Sequence, residues 1–475
     1  MGKLAGFKEF ERKDFSTRPV DKRIKDYKEV HTPLSLHEME NQAARCMNCG
    51  TPFCNWGCPL GNLIPDWNDF TYNGDWKKAY EELSFTNNFP EFTGRICPAL
   101  CEASCTLGVN YNPVSIREIE YMVIERAFKE GFIKPNIPKN RTGKKVAVIG
   151  SGPSGLSTAV QLNSVGHNVV IFERHDEIGG LLRYGIPDFK LDKKVIQRRV
   201  ELMKQEGIEF KTNINVGVDV SYQDILNEFD AVVLTGGSTI PRDLKVPGRE
   251  LEGIYFAVDY LSAQNRKVAG KNAEKYITAK DKSVVVIGGG DTGSDCIGTA
   301  IRQGAKKVYQ IEIMPKPPVY RDDTMPWPTY PKILKTTTSH EEGCERKWNV
   351  STKQFVGKDG KVNKLHCTEV EWYKDKDGAM KFNEVKGSEF DIDADLVLIA
   401  MGFLHPQHEG LLNDLSLEFD GRGNVLTSDN HMTNIKGVFS AGDMRTGQSL
   451  VVKAISDGRI TAKYVDEYLM GDTFL

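Results

Sequence analysis

The spacing of hydrophobic and polar positions divides the chain into two textures. Up to about residue 140, apolar residues recur at helical intervals and β-branched runs are few. "SLHEMENQAARC" (35–46) and "SIREIEYMVIERAFKEG" (115–131) carry the pattern best, the second stopping at a glycine. A helical domain over 1–140 is therefore expected. "KPNIPKNRTGKK" (134–145), rich in proline and lysine, reads as the linker out of it. Beyond it, "KVAVIG" and "SVVVIGGG" are buried-strand runs that enter glycines. "FDAVVLTGG", "ADLVLIAMG" and "GVFSAGD" are further strands ending in small residues. The strand–glycine–helix unit at 145 recurs at 283, so this part predicts an α/β fold with two Rossmann-like units.

In the first unit Gly150, Gly152 and Gly155 form G-x-G-x-x-G directly after a strand. The first glycine makes a tight turn, the second lets a pyrophosphate approach the backbone, and the third lets helix pack on strand. The helix N-terminus then faces the phosphate. A second strand, "VVIFE", ends in Glu173, 21 residues after Gly152, where an acid would hold a ribose diol. Gly288, Gly290 and Gly293 repeat the motif, and Glu312 ends the strand that follows. Two such sites on one chain point to a flavin and a nicotinamide that meet for hydride transfer. A carboxylate at 312 favours the free 2′-hydroxyl of NADH. NADPH wants an arginine there, and "YQIEIMPKPP" is followed by none before Arg321, although Lys316 is near.

Charge narrows the partners. A formal net charge of −3 points to neither nucleic acid nor an anionic membrane surface. No apolar run approaches the roughly 20 residues that span a bilayer. The opening "MGKLAGFKEFERKDF" lacks the apolar core of a signal peptide. A cytoplasmic location is expected, where thiols stay reduced and clustered cysteines are more often metal ligands than disulfides.

Seven of the 10 cysteines lie near the front. The first four, Cys46, Cys49, Cys54 and Cys58, read C-x2-C-x4-C-x3-C-P, a ferredoxin-like run with a longer middle gap. In two-cluster ferredoxins the fourth cysteine of such a run serves the other cluster, so Cys58 is expected to start a second group. Cys97, Cys101 and Cys105 have i, i+4, i+8 spacing and could present three thiolates along one helical face. One of the three would complete the first group, and spacing does not choose which. Two cubane clusters need eight ligands, so an eighth must come from elsewhere; Glu118, Glu120 and Glu125 stand close by. Zinc would want paired knuckles, and there is a single C-x2-C. Cys296, Cys344 and Cys367 are expected to be small buried hydrophobes.

The C-terminal "GVFSAGDMRTGQSLVVKAISDGR", with "LTGG" (234–237) and "AMG" (400–402), resembles the flavoproteins with two dinucleotide-binding domains, the glutathione-reductase-like fold. That resemblance implies FAD on the first unit and NAD(P)H on the second. It also implies that Gly442 and Asp443 return to the FAD ribityl chain. Thiol-reductase branches carry a redox C-x-x-C; only Cys296 lies near the second motif here, so disulfide reduction is not expected. The implied division is a helical iron–sulfur domain (1–140), an FAD domain (141–275), an NAD(P)H domain (276–405) and the FAD domain's return (406–475).

Over essentially the whole chain, "ARCMNCGTPFC", "GRICPALCEASC", "GGLLRYGIPDFKL", "MPKPP", "SHEEG" and "SAGDMR" resemble the glutamate synthase small (beta) subunit family, which is similar to the N-terminal half of dihydropyrimidine dehydrogenase. The resemblance implies two [4Fe-4S] clusters, one on Cys46, Cys49, Cys54 and Cys105, the other on Cys58, Cys97, Cys101 and Glu120. It adds Gly180, Leu181 and Asp291 to the cofactor contacts. It implies a large (alpha) subunit that receives the electrons and makes glutamate from 2-oxoglutarate and glutamine. A pyrimidine dehydrogenase or a ferredoxin-type oxidoreductase would use the same machinery with another acceptor. No acid–base pair is expected, since hydride transfer to flavin depends on positioning.

Overall fold

The two apolar runs that enter glycines become the middles of two separate parallel sheets. Lys145–Ile149 lies between Asn168–Glu173 and Ala231–Leu234, with Glu209–Thr212 and Val438–Ser440 at the edges. Ser283–Ile287 lies between Lys307–Ile311 and Leu396–Ile399, with Glu345–Lys347 and Ile254–Phe256 at the edges. Parallel pairing requires crossover connections that cover the sheet faces, which is why these strands are almost continuously apolar. This computed structural model describes residues 2–271 and 276–475.

The chain crosses between the sheets twice. It leaves the first at Leu234 and enters the second at Ile254, ahead of the division expected at 275; Ile254–Phe256 pairs with Leu396–Ile399 and belongs to the second unit. It returns to the first sheet with Val438–Ser440 and ends in the helix Val451–Met470. That helix packs on Pro153–Ser164 through small residues. Thr158 Oγ1 donates to the Gly458 carbonyl at 3.0 Å, and a Cβ at Gly458 would lie 2.2 Å from Ser157 Oγ. One element escaped the sequence reading: the antiparallel strands Val350–Lys358, Lys361–Lys374, Met380–Glu384 and Phe390–Asp393 form a sheet of their own within the second unit. Much of Met380–Glu384 is exposed, so no clean alternation marked it.

The N-terminal domain is helical as expected, from Leu36–Ala43 to Ile116–Lys129, with one short pair of strands at Ser16–Thr17 and His31–Thr32. The linker is held down. Arg141 donates to Asn163 Oδ1 at 2.7 Å and to the His167 carbonyl at 2.9 Å. Among the described residues no helix is long and apolar enough to cross a membrane.

Ionic contacts fix the three parts against one another. Glu91 of the helical domain meets Arg199 on Lys193–Gln205 of the first unit at 2.5 and 3.0 Å, and Glu91 has no exposed surface. Asp295, on the helix behind the second glycine loop, takes Lys190 of the first unit at 2.7 Å. Glu342 of the second unit receives Arg302 from its own unit and Arg23 from the N-terminal segment, Arg23 at 2.7 Å. The Glu342 and Arg302 side chains are 0% exposed and Arg23 is 1%. Removing one partner of a buried pair leaves an uncompensated charge. Glu342→Ala should therefore cost about 3–5 kcal/mol, measured as a lowered midpoint in urea. A loss under about 0.5 kcal/mol, the range of ordinary surface substitutions, would mean that water reaches both guanidinium groups.

Candidate functional site

Cys46 and Cys49 lie in the irregular stretch between the helices Leu36–Ala43 and Phe53–Gly57, and the other five clustered cysteines lie in short helices or at their ends. Cys54 lies in the short helix Phe53–Gly57, while Cys58 caps its end in extended conformation. Cys97 ends Pro90–Ile96 in extended conformation, because a residue before proline avoids helical backbone and Pro98 follows. Ala99 is left-handed at φ 61°, Cys101 lies in the four-residue helix Leu100–Ala103, and Cys105 is extended again. The single helical face expected for Cys97, Cys101 and Cys105 does not form. Pro98 and Ala99 break it, and the three thiols separate.

The eight side chains that the family resemblance assigned to two groups line two cavities, four to each. Cys46, Cys49, Cys54 and Cys105 line one, with Asn68 beside them. Cys58, Cys97, Cys101 and Glu120 line the other, with Asn87, Thr93 and Val452. The other two carboxylates are engaged elsewhere: Glu118 accepts the Phe15 N–H at 2.8 Å, and Glu125 pairs with Arg95 and Arg198. Burial pushes Cys46 and Cys58 up to about 11 and Cys97 to about 12. Burial, then Cys105, Cys46 and Cys49, pushes Cys54 up further; burial, then Cys58 and Cys97, does the same to Cys101. Backbone amides work the other way. Asn62, Leu60 and Gly61 donate to Cys58, Ala99 and Leu100 to Cys97, and Val114, Leu107 and Gly108 to Cys105.

Amides aimed at sulfur favour thiolates, while burial of several thiolates together demands positive charge among them. Among the described residues no three such side chains converge as a single ion requires. The thiols frame volumes rather than points, and this donor set fits a polynuclear iron–sulfur group better than one zinc.

The two glycine loops share a geometry. Gly150 and Gly288 have φ of 111° and 124°, and a Cβ at either would lie 2.6 Å or less from the carbonyl of Thr235 or Ala400 on the neighbouring crossover strand. A Cβ at Gly155 or Gly293 would sit 2.1 or 2.4 Å from the first glycine's carbonyl. At Gly152 and Gly290 it would meet nothing within 4 Å. The fold itself thus requires the outer glycines and leaves space at the middle ones, which is what a pyrophosphate needs. Two buried hydroxyls on the first unit, Ser154 and Ser238, have no hydrogen-bond partner among the described residues; such groups fit a polar ligand. A Cβ at Gly442 would touch Ser154, and one at Gly180 would come within 3.0 Å of Gly152, so both segments close on this loop, with Leu181 following Gly180. Asp443 accepts from Ser449 Oγ at 2.9 Å, and burial raises its carboxyl to about 6.

The two strand-end acids are held differently. Glu173 is buried and accepts Ser151 N–H and Oγ–H and His175 N–H at 3.1, 2.6 and 2.9 Å. Glu312 is only half-buried and accepts the N–H of Gly289 and, at 3.1 Å, of Met314. Asp291 opens the helix Asp291–Arg302. Sequence spacing missed Arg346. It stands on the edge strand opposite Gln310, two residues from Glu312, and shares the Trp348 ring with Lys316. Only the parallel register brings it there, so no local motif could have found it.

Comparison with known proteins finds three matching families along the chain. Residues 23–132 match the family described as dihydropyrimidine dehydrogenase domain II, 4Fe-4S cluster. Residues 148–195 match an NAD(P)-binding Rossmann-like domain, and 218–458 match pyridine nucleotide-disulphide oxidoreductase. The chain is 52% identical over 463 residues to the Mycobacterium tuberculosis "Glutamate synthase [NADPH] small chain", covering 96% of this chain and 94% of that one. It is 45% identical to the Schizosaccharomyces pombe "Glutamate synthase [NADH]", where the match takes in 100% of this chain and 23% of the other. Among solved structures, Mycobacterium tuberculosis FprA in complex with NADPH superposes with a TM-score of 0.54 at 18% identity, over 69% of this chain and 85% of that one, a likeness of fold.

The glycines separate ligand from fold in a test. Gly152→Ala should lower flavin per chain while shifting stability by no more than about 0.5 kcal/mol. Gly155→Ala should cost about 1–3 kcal/mol by overpacking. Urea unfolding and flavin stoichiometry read both; full flavin occupancy in Gly152→Ala would remove the phosphate from that space.

Proposed function

Because the chain belongs to the family of glutamate synthase small chains, we propose that the residues described above divide between them the work of its NAD(P)H-oxidising flavin and iron–sulfur subunit. The chain is an oxidoreductase that binds FAD, NAD(P)H and a 4Fe-4S group. In this reading Gly150, Gly152, Gly155, Glu173, Gly180, Leu181, Gly442 and Asp443 hold FAD. Gly288, Gly290, Asp291, Gly293 and Glu312 hold the nicotinamide nucleotide. Cys46, Cys49, Cys54 and Cys105 hold one [4Fe-4S] cluster, and Cys58, Cys97, Cys101 and Glu120 hold a second. The observation that carries the assignment is the separation of these eight side chains into two cavities of four.

When bound, the flavin supplies the exchange between hydride and single electrons, and the clusters carry electrons one at a time. The chain's part is positioning. The Lys190–Asp295 pair ties the helix behind the nucleotide loop to the flavin unit. The second cavity is lined by Val452 of the helix that follows Asp443, and Ser456 Oγ donates to the Pro59 carbonyl at 2.8 Å, so this cavity abuts the flavin unit. The first cavity is lined by Met47, which is 39% exposed. The arrangement supports an order of flavin, second cavity, first cavity and surface.

The small-chain name of the relatives implies a complex with a large subunit. We assign the electrons to a glutamate synthase large (alpha) subunit that forms glutamate from 2-oxoglutarate and glutamine. Anaerobic titration with NADH and with NADPH, with iron and sulfide counted on the same sample, tests the whole reading. About eight irons and a flavin bleached by nucleotide are expected; a flavin that neither nucleotide reduces would overturn it.

Two substitutions test the parts. Cys49→Ser should remove about four of about eight irons per chain, and an unchanged iron count would remove Cys49 from the ligands. Glu312→Arg should move the kcat/KM ratio toward NADPH by about tenfold, or ~1.4 kcal/mol, since a guanidinium suits a 2′-phosphate where a carboxylate suits the diol. An unmoved ratio would mean that Glu312 is not at the ribose.

A further inference from the structure

We propose that Thr93 and Asn87 are positioning residues that restrict Glu120 to a single ligating oxygen, Oε2, and thereby raise the reduction potential of the group it holds with Cys58, Cys97 and Cys101. The inference rests on the reading of the second cavity given above. Glu120 projects from Ile116–Lys129 and is 5% exposed; Asn87 and Thr93 are 0% and 2% exposed. Thr93 Oγ1 donates to Glu120 Oε1 at 2.5 Å, and Asn87 Nδ2 donates to the same oxygen at 2.8 Å. Oε2 makes no hydrogen bond among the described residues, and Glu120 lines the cavity of the three thiols.

The brace is itself oriented. Asn87 Oδ1 accepts the Phe89 N–H at 3.0 Å, which fixes which end of the amide faces Glu120. Asn87 Nδ2 also donates to Thr93 Oγ1 at 2.8 Å, and of the two acceptors that the Thr93 hydroxyl faces, the Phe89 carbonyl at 3.3 Å and Glu120 Oε1 at 2.5 Å, the carboxylate is the nearer. Thr93 stands one helical turn before Cys97 on Pro90–Ile96, so one element sets both a sulfur and the donor to the oxygen ligand. Among the described residues the Glu120 carboxylate forms no ion pair; Arg117 lies against Glu118 and acts on Glu120 only from a distance, after the Thr93 and Asn87 hydrogen bonds.

Two consequences follow from general chemistry. A carboxylate whose Oε1 is saturated by two donors cannot chelate and offers its other oxygen alone. Donors to a ligand withdraw charge from it and ease the addition of an electron to the metal group, as outer-shell partners do in other metal sites.

Thr93→Val removes the hydroxyl and keeps the shape; Thr93→Ser restores the hydroxyl. The measurement is an anaerobic redox titration followed by electron paramagnetic resonance, with iron counted per chain. The expected result is one cluster signal moved to lower potential with altered g-values in Thr93→Val, and returned toward wild type in Thr93→Ser. Loss of about four irons in Thr93→Val alone, with Thr93→Ser fully loaded, would also support the brace. Unchanged potentials and spectra in a fully loaded Thr93→Val would overturn it, as would equal iron loss in both variants, which marks packing instead. A wild-type chain with only about four irons would instead refute the second cluster itself, before any variant is compared.

Discussion

Glu91 and Arg199 meet where almost no water reaches, and neither would tolerate the other's absence. The same constraint recurs at Glu342 with Arg23, and Asp295 holds a partly exposed Lys190 in a similar way. Each pair joins elements that belong to different parts of the chain. A buried charge that is neutral only when its partner is docked makes relative motion of the parts costly. Hydride transfer between two bound nucleotides depends on reacting atoms being held close and aligned. The first unit, the second unit and the cysteine domain are therefore held against one another by these contacts.

Much of this was legible in the sequence. The G-x-G-x-x-G motifs located both strand–loop–helix turns, because such turns depend on backbone that only glycine makes at short range. The helices Leu36–Ala43 and Ile116–Lys129 followed from apolar spacing. What stayed hidden depended on register or on chain breaks. Spacing alone suggested that Cys97, Cys101 and Cys105 share a helical face, yet Pro98 directs Cys97 and Cys101 to one cavity and Cys105 to the other. Glu118, Glu120 and Glu125 were equivalent as letters; they differ because Phe15, Asn87 with Thr93, and Arg95 with Arg198 reach them from distant parts of the chain. Arg346 reaches the neighbourhood of Glu312 through a parallel pairing that no window along the sequence contains.

The proline-rich stretch after Glu312 gives the two halves of the chemistry a physical connection. Trp327 packs on Phe53 at 4.6 Å between ring centroids, beside Cys54, and the Pro328 carbonyl accepts from Ser104 Oγ at 2.8 Å, beside Cys105. The segment that begins after Glu312 thus ends on Phe53, which lines the first cavity. Proline suits such a span, since it restricts the backbone without needing a regular partner strand.

The Arg23–Glu342 contact also carries a timetable. A ribosome emits the N-terminal domain first, and Glu342 follows only after roughly tens of seconds of further elongation at usual rates of synthesis. Until then Arg23 has no buried carboxylate to meet, and the segment around it cannot seat. Once the second unit folds, Glu342 supplies that carboxylate and the N-terminal segment is held against it.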